Sequence, residues 1–199
     1  MANPIETDFK LALALGRLAG RWGQAEIGVE MIYIALSEMP YRKAVISFSF
    51  HKSVGTQRDI IDFLADETEW LSEDLRREVK GAVKAFADKA AARNGWVHYP
   101  FGKSSDDSEI EIYKMKRSRK GDVLYSKEPA SPQLIMAFAD EVAAITKRLY
   151  AAHTLLMLAS SNRPSAPLPG PFQQEQTSTP PNYRGLIAAL LSQQSPSDP

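Results

Sequence analysis

Apolar residues recur at spacings of three and four from Thr7 to Glu38, at Leu11, Leu15, Leu18, Trp22, Ala25, Val29, Ile32 and Leu36. That period predicts a first long helix, with Asn3, Thr7 or Asp8 able to cap it. Pro40 stands where helices often begin, and Tyr41 to Asp66 reads as a second helix with Phe48, Val54, Ile61 and Leu64 inward. Gly55, flanked by Ser53 and Thr56, is the place where that helix is expected to bend or break. A third helix is predicted from Trp70 to Asn94 behind the acidic run Asp66 to Glu69, with a stripe through Leu71, Leu75, Val79, Val83, Phe86 and Ala90 that finishes at Asn94 and Val97. Tyr99-Pro100-Phe101-Gly102 breaks it.

The period then changes from 3.6 to two. Ile110, Ile112, Tyr113 and Met115 alternate with Glu111 and Lys114, and Val123-Leu124-Tyr125 follows Gly121-Asp122, which predicts a short β-hairpin. Two strands are marginal alone, so the hairpin is expected against the helices near the stretch that feeds it. Ser131-Pro132 opens a last long helix to about Ser160 through Leu134, Phe138, Val142, Ile145, Leu149, Ala152 and Leu156, with Met157 and Leu158 widening its stripe. The expected fold is all-α: a four- to five-helix bundle over residues 1–160, with the hairpin inserted before the last long helix. Residues 161–199 are rich in Pro, Ser and Gln and read as a flexible tail, with a possible short helix near 183–191.

Composition narrows the chemistry. Of 199 residues, 44% are apolar, enough for a core, while 24 basic and 24 acidic residues cancel. A neutral chain is a poor coat for nucleic acid, so RNA contact would be local. The absence of cysteine removes disulfides, thiolate nucleophiles and cysteine-bound zinc. No stretch reaches the ~18 uncharged apolar residues of a membrane span, and acidic Glu6 and Asp8 precede the first apolar run where a signal peptide carries basic residues, so a cytoplasmic, membrane-free protein is expected.

The densest chemistry lies at the close of the third helix, in Arg93-Asn94-Gly95-Trp96-Val97-His98-Tyr99-Pro100. Arg93 and His98 are about 140° apart around an ideal helix, too far for an i,i+4 pair, unless the last turn loosens at Gly95. A permanent cation beside a group that titrates near neutrality suits phosphate chemistry: the imidazole moves a proton and the guanidinium holds charge on phosphoryl oxygens. A second arginine-to-histidine spacing, Arg148 to His153, lies inside a continuous helical pattern, where His153 is expected to pack. Lys116, Arg117, Arg119 and Lys120 at the hairpin tip form the one basic cluster, able either to grip an RNA backbone or to keep a strand edge from pairing. Glu26, one turn from Trp22, reads as a rim carboxylate or as a group orienting Arg93 or His98, and His51, without acids at metal spacing, as packed or solvent-facing.

Arg93-Asn94-x-x-x-His98 at a helix end resembles the Arg-x4-6-His motif of the HEPN superfamily (higher eukaryotes and prokaryotes nucleotide-binding), in which a polar residue often follows the arginine. The resemblance implies a HEPN-like bundle, commonly a homodimer, acting as a metal-independent endoribonuclease whose two motifs meet across the two-fold axis. Arg93, His98 and Asn94 would then be catalytic, with Glu26 and Tyr99 supporting them from behind and Lys116, Arg117, Arg119 and Lys120 holding RNA. No cofactor or metal is implied, because the attacking oxygen belongs to the substrate. A toxin or defence role with an antitoxin or other protein partner would fit. The sequence departs from the family at Tyr99-Pro100, where many members carry a small residue after the histidine. A non-catalytic HEPN-like binding or regulatory module is the alternative.

Overall fold

The computed structural model describes Ile5 and residues 8–103, 109–117 and 123–161. Five helices, α1 (Phe9–Ser37), α2 (Tyr41–Ser49), α3 (Val54–Glu67), α4 (Glu73–His98) and α5 (Pro132–Ser161), form a bundle. A small antiparallel sheet of β1 (Phe101–Lys103), β2 (Ile110–Arg117) and β3 (Val123–Pro129) stands before the last long helix. The expected tail beyond Ser161 lies outside the described residues. Among the described residues no helix is long and apolar enough to cross a membrane.

Helix boundaries follow side chains that satisfy otherwise orphaned backbone groups. Asp8 accepts the Leu11 N–H at 3.1 Å and starts α1. The expected single helix from Tyr41 to Asp66 is two helices, because Ser53 accepts the Thr56 N–H at 3.1 Å and caps a fresh start. The break therefore precedes Gly55, which lies within the first turn of α3. Ser72 likewise caps α4, so the helix starts at Glu73 rather than Trp70. Arg76 reaches back from α4 to the carbonyls of Ala65 (2.8 Å) and Thr68 (3.3 Å), closing the end of α3. Ser131 caps α5 by accepting the Leu134 N–H at 3.2 Å.

The core is one continuous cluster drawn from all five helices, and it includes Leu18, Trp22, Val29, Phe86 and Leu149. The most extensive helix pairing is α1 with α5. Contacts advance along both from Arg17–Asp140 to Gly28–Leu149, so these two helices run parallel. Helix α4 runs opposite to α5, joined by Glu78–Arg148 at one end and Lys89–Glu141 at the other. The α1–α5 contact is close at Gly28, where an added Cβ would come within 3.0 Å of the Leu149 Cβ.

Some inward expectations fail at helix ends. Leu134, Met157 and Leu158 are exposed, so the apolar stripe of α5 is narrower than its sequence and Leu156 alone carries the last turn inward. Asn94 and Val97 are exposed too, because α4 leaves the core after Ala90 and the half-buried Trp96 makes the final contact. The hairpin gains a third strand: Phe101 pairs with Ile112 and Lys103 with Ile110. Three residues are too few to display a period of two. The sheet packs through Ile112, 2% exposed, and lies near α4, with Lys114 Cε 3.5 Å from where a Cβ on Gly95 would stand.

Two glycines of α1 should respond oppositely to substitution. Gly20 is exposed and an added Cβ meets nothing within 4 Å, so Gly20→Ala should stabilise by about 0.5–1 kcal/mol. Gly28→Val should cost about 1–3 kcal/mol by driving α1 from α5. Urea unfolding of the two variants measures both.

Candidate functional site

Helix α4 continues through Gly95 to His98 and stops at Tyr99, which is extended (φ −97°, ψ 145°) as a residue before proline must be. The last turn does not loosen at Gly95. The glycine is buried, and a Cβ there would meet Lys114 of the sheet in ordinary contact at 3.5 Å. Arg93 and His98 nevertheless meet. The Arg93 guanidinium donates through Nη1 to His98 Nε2 at 3.3 Å and to Asn94 Oδ1 at 3.2 Å. An arginine side chain is long enough to span the ~7.5 Å rise of five residues, so a regular helix brings the pair together. Guanidinium cannot accept, so in this contact the imidazole is neutral at Nε2, with its proton on Nδ1.

The position of Arg93 is set by α1. Its Cζ lies 5.4 Å from the centroid of the Trp22 ring, and Trp22 is 2% exposed. The indole is fixed by Phe86 of α4, with ring centroids 4.4 Å apart, and by its own N–H, which donates to Glu26 Oε1 at 2.8 Å. Cation–π attraction and the rigid aromatic floor hold the guanidinium half-buried, while Asn94 and His98 are exposed. Arg93 Nε is buried without a hydrogen-bond partner. Glu26 bonds Trp22 of its own helix rather than Arg93 or His98, so it touches the pair only through the indole.

The remaining candidates fall elsewhere. Lys116 and Arg117 belong to the end of β2, but their side chains, like Arg119 and Lys120 entirely, lie outside the described residues. Tyr99 closes α4 as its C-cap. His51 packs beside Tyr33 and Phe48, at ring separations of 6.0 and 6.4 Å. Among the described residues no group of three or more His, Cys, Asp or Glu is arranged to hold a metal.

The second arginine-histidine spacing is divided between two structural jobs. Arg148 forms a two-pronged pair with Glu78, at 2.7 and 3.0 Å, and its hydrogen bond holds the Glu78 carboxyl below its ordinary range. His153 is buried, its Nδ1 has no partner, and burial pushes its titration down. Sequence reading assigned Trp22 no part in the site. Its signal was an aromatic on the buried stripe with an acid one turn later, but nothing local reveals which cation will cover the ring.

Comparison of the chain with protein-family models, with curated proteins and with solved structures gives no match.

The buried imidazole has a measurable consequence. Above the ordinary histidine range His153 is neutral in both folded and unfolded chains and does not affect stability. As pH falls below that range the unfolded chain takes up a proton that the folded chain resists, and stability drops. The slope due to this residue should not exceed about 1.4 kcal/mol per pH unit. Denaturant midpoints from pH 7.5 to 5 should fall less steeply in His153→Leu.

Proposed function

We propose that the chain is a HEPN-type, metal-independent endoribonuclease, working in the cytoplasm as a homodimer whose two motifs share one scissile phosphate. The observation that carries this reading is the contact of Arg93 with His98 at 3.3 Å on an exposed helix end. Exposed Ala91 and Ala92 beside Arg93 leave room for the helix of a second copy.

In this reading one imidazole takes the proton of a ribose 2′-hydroxyl as its oxygen attacks the adjacent phosphorus. The bond from phosphorus to the 5′ oxygen breaks, and that oxygen receives a proton from the partner's imidazole. Arg93 counters the charge that develops on the phosphoryl oxygens, and the Trp22 floor keeps the guanidinium oriented before substrate arrives. Asn94 supplies an amide that steers the guanidinium or the RNA. Substrate phosphate would draw Arg93 Nη1 away from His98 Nε2, freeing that nitrogen to accept the hydroxyl proton. The basic residues Lys116, Arg117, Arg119 and Lys120 would contact the RNA backbone, and a toxin or defence role with an antitoxin or other protein partner suits such an activity.

The purified protein should cleave single-stranded RNA in EDTA. His98→Ala should lower the rate by about 100-fold or more, with an unchanged thermal midpoint because the side chain is exposed. Failure of a folded dimer to cleave any RNA would instead leave Arg93, Asn94 and His98 as part of a non-catalytic binding or regulatory module.

A further inference from the structure

Beyond Glu26 the surface of α1 opens into a groove of about 430 Å³, closed on its other side by the end of α2 and the start of α3. Gly23, Glu26, Glu30, Phe48, His51 and Lys52 are among its lining residues. The volume falls within the ~300–1,000 Å³ typical of small-molecule sites. Gly23 keeps one part of the groove open, since an added Cβ there would meet nothing within 4 Å.

Glu30 is half-buried in this groove, and no hydrogen bond or ion pair to a described residue satisfies it. Burial raises its carboxyl above the ordinary range. A half-buried carboxylate is partly stripped of water, and a ligand bringing donors would replace the hydration it has lost. His51, half-buried and packed on core Phe48 with centroids 6.4 Å apart, supplies ring surface to the same groove. Lys52, exposed at the rim, adds a cation.

We propose that this groove receives a guanine base of single-stranded RNA, with Glu30 reading its Watson–Crick edge. Guanine places two neighbouring donors there, N1–H and N2–H, which match the two oxygens of one carboxylate. Adenine and cytosine each set an amino group beside an acceptor, and uracil flanks one donor with two acceptors, so each would confront the carboxylate with like polarity. Unstacked RNA bases are commonly recognised by this combination of ring contact and edge hydrogen bonds. Glu26 links the groove to the phosphate site, since it lines the groove and also bonds the indole beneath Arg93. Glu30 lies eight residues beyond Trp22, ~12 Å along α1, which suits a base one or two nucleotides from the phosphate that Arg93 would hold. The proposal thus rests on the nuclease reading for its substrate class, while the base pocket itself can be tested without cleavage.

Isothermal titration of the full chain with guanosine 5′-monophosphate and inosine 5′-monophosphate tests it, because inosine lacks only the 2-amino group. The guanine nucleotide should bind about tenfold more tightly, and Glu30→Gln should erase the difference. Gly23→Leu should fill the groove and abolish binding without lowering the thermal midpoint, since leucine is the better helix former and meets no neighbour at its Cβ. Absence of saturable binding, equal affinity for both nucleotides, or discrimination that survives Glu30→Gln would each overturn the proposal. RNA cleavage without guanine discrimination would remove the pocket and leave the nuclease standing. Guanine discrimination by a protein that cuts no RNA would do the reverse.

Discussion

The indole of Trp22 is the contact on which both the bundle and the candidate site depend. Its ring is buried between helices, against Phe86 of α4 at 4.4 Å, and its one polar atom is satisfied by Glu26. A tryptophan buried with its N–H unmet would be costly, so the rim carboxylate one turn away is what allows so large an aromatic to serve as core. The same ring presents a face to the Arg93 guanidinium. Packing and site geometry are therefore joined: movement of α1 against α4 would displace the floor under Arg93.

Among the described residues many cations are used within the fold. Arg17 pairs with Asp140, Lys80 with Asp66, Lys89 with Glu141 and Arg148 with Glu78, each tying one element to another. Arg76 is committed to carbonyls at the end of α3. Exposed pairs of this kind add little stability individually, typically up to ~1 kcal/mol. Their effect here is to neutralise surface cations by geometry. Among the described residues Arg93 has only the Asn94 amide and the His98 imidazole as hydrogen-bond partners, so no bonded carboxylate among them cancels its charge.

The contrast between the two arginine-histidine spacings follows from where each lies on its helix. Arg93 and His98 occupy the turn at which α4 departs from the core, so a long side chain can swing along the helix surface to the imidazole. Arg148 and His153 occupy the middle and later turns of α5, where one face is buried and an acid of α4 faces the arginine. Similar spacing gives a surface pair in one place and, in the other, a tethered cation and a buried ring.

By itself the sequence determined the helical period, the inserted strand pair and the chain stops, because these depend on residues close in the chain: the three- and four-residue apolar repeat, the alternation around Ile112, and Pro100 forbidding further helix. Ser53 and Ser72 became legible as caps only once the folded backbone ended the helix begun at Tyr41 after Ser49 and moved the start expected at Trp70 to Glu73. Tertiary structure alone decided that Trp22 would lie beneath Arg93, that Glu26 would bond that indole, and that Glu30 would line a groove with His51 without a partner among the described residues. These outcomes depend on the relative rotation and depth of α1 and the helices packed against it. A local period fixes which face turns inward but not which side chains of separate helices come within a few ångströms of one another.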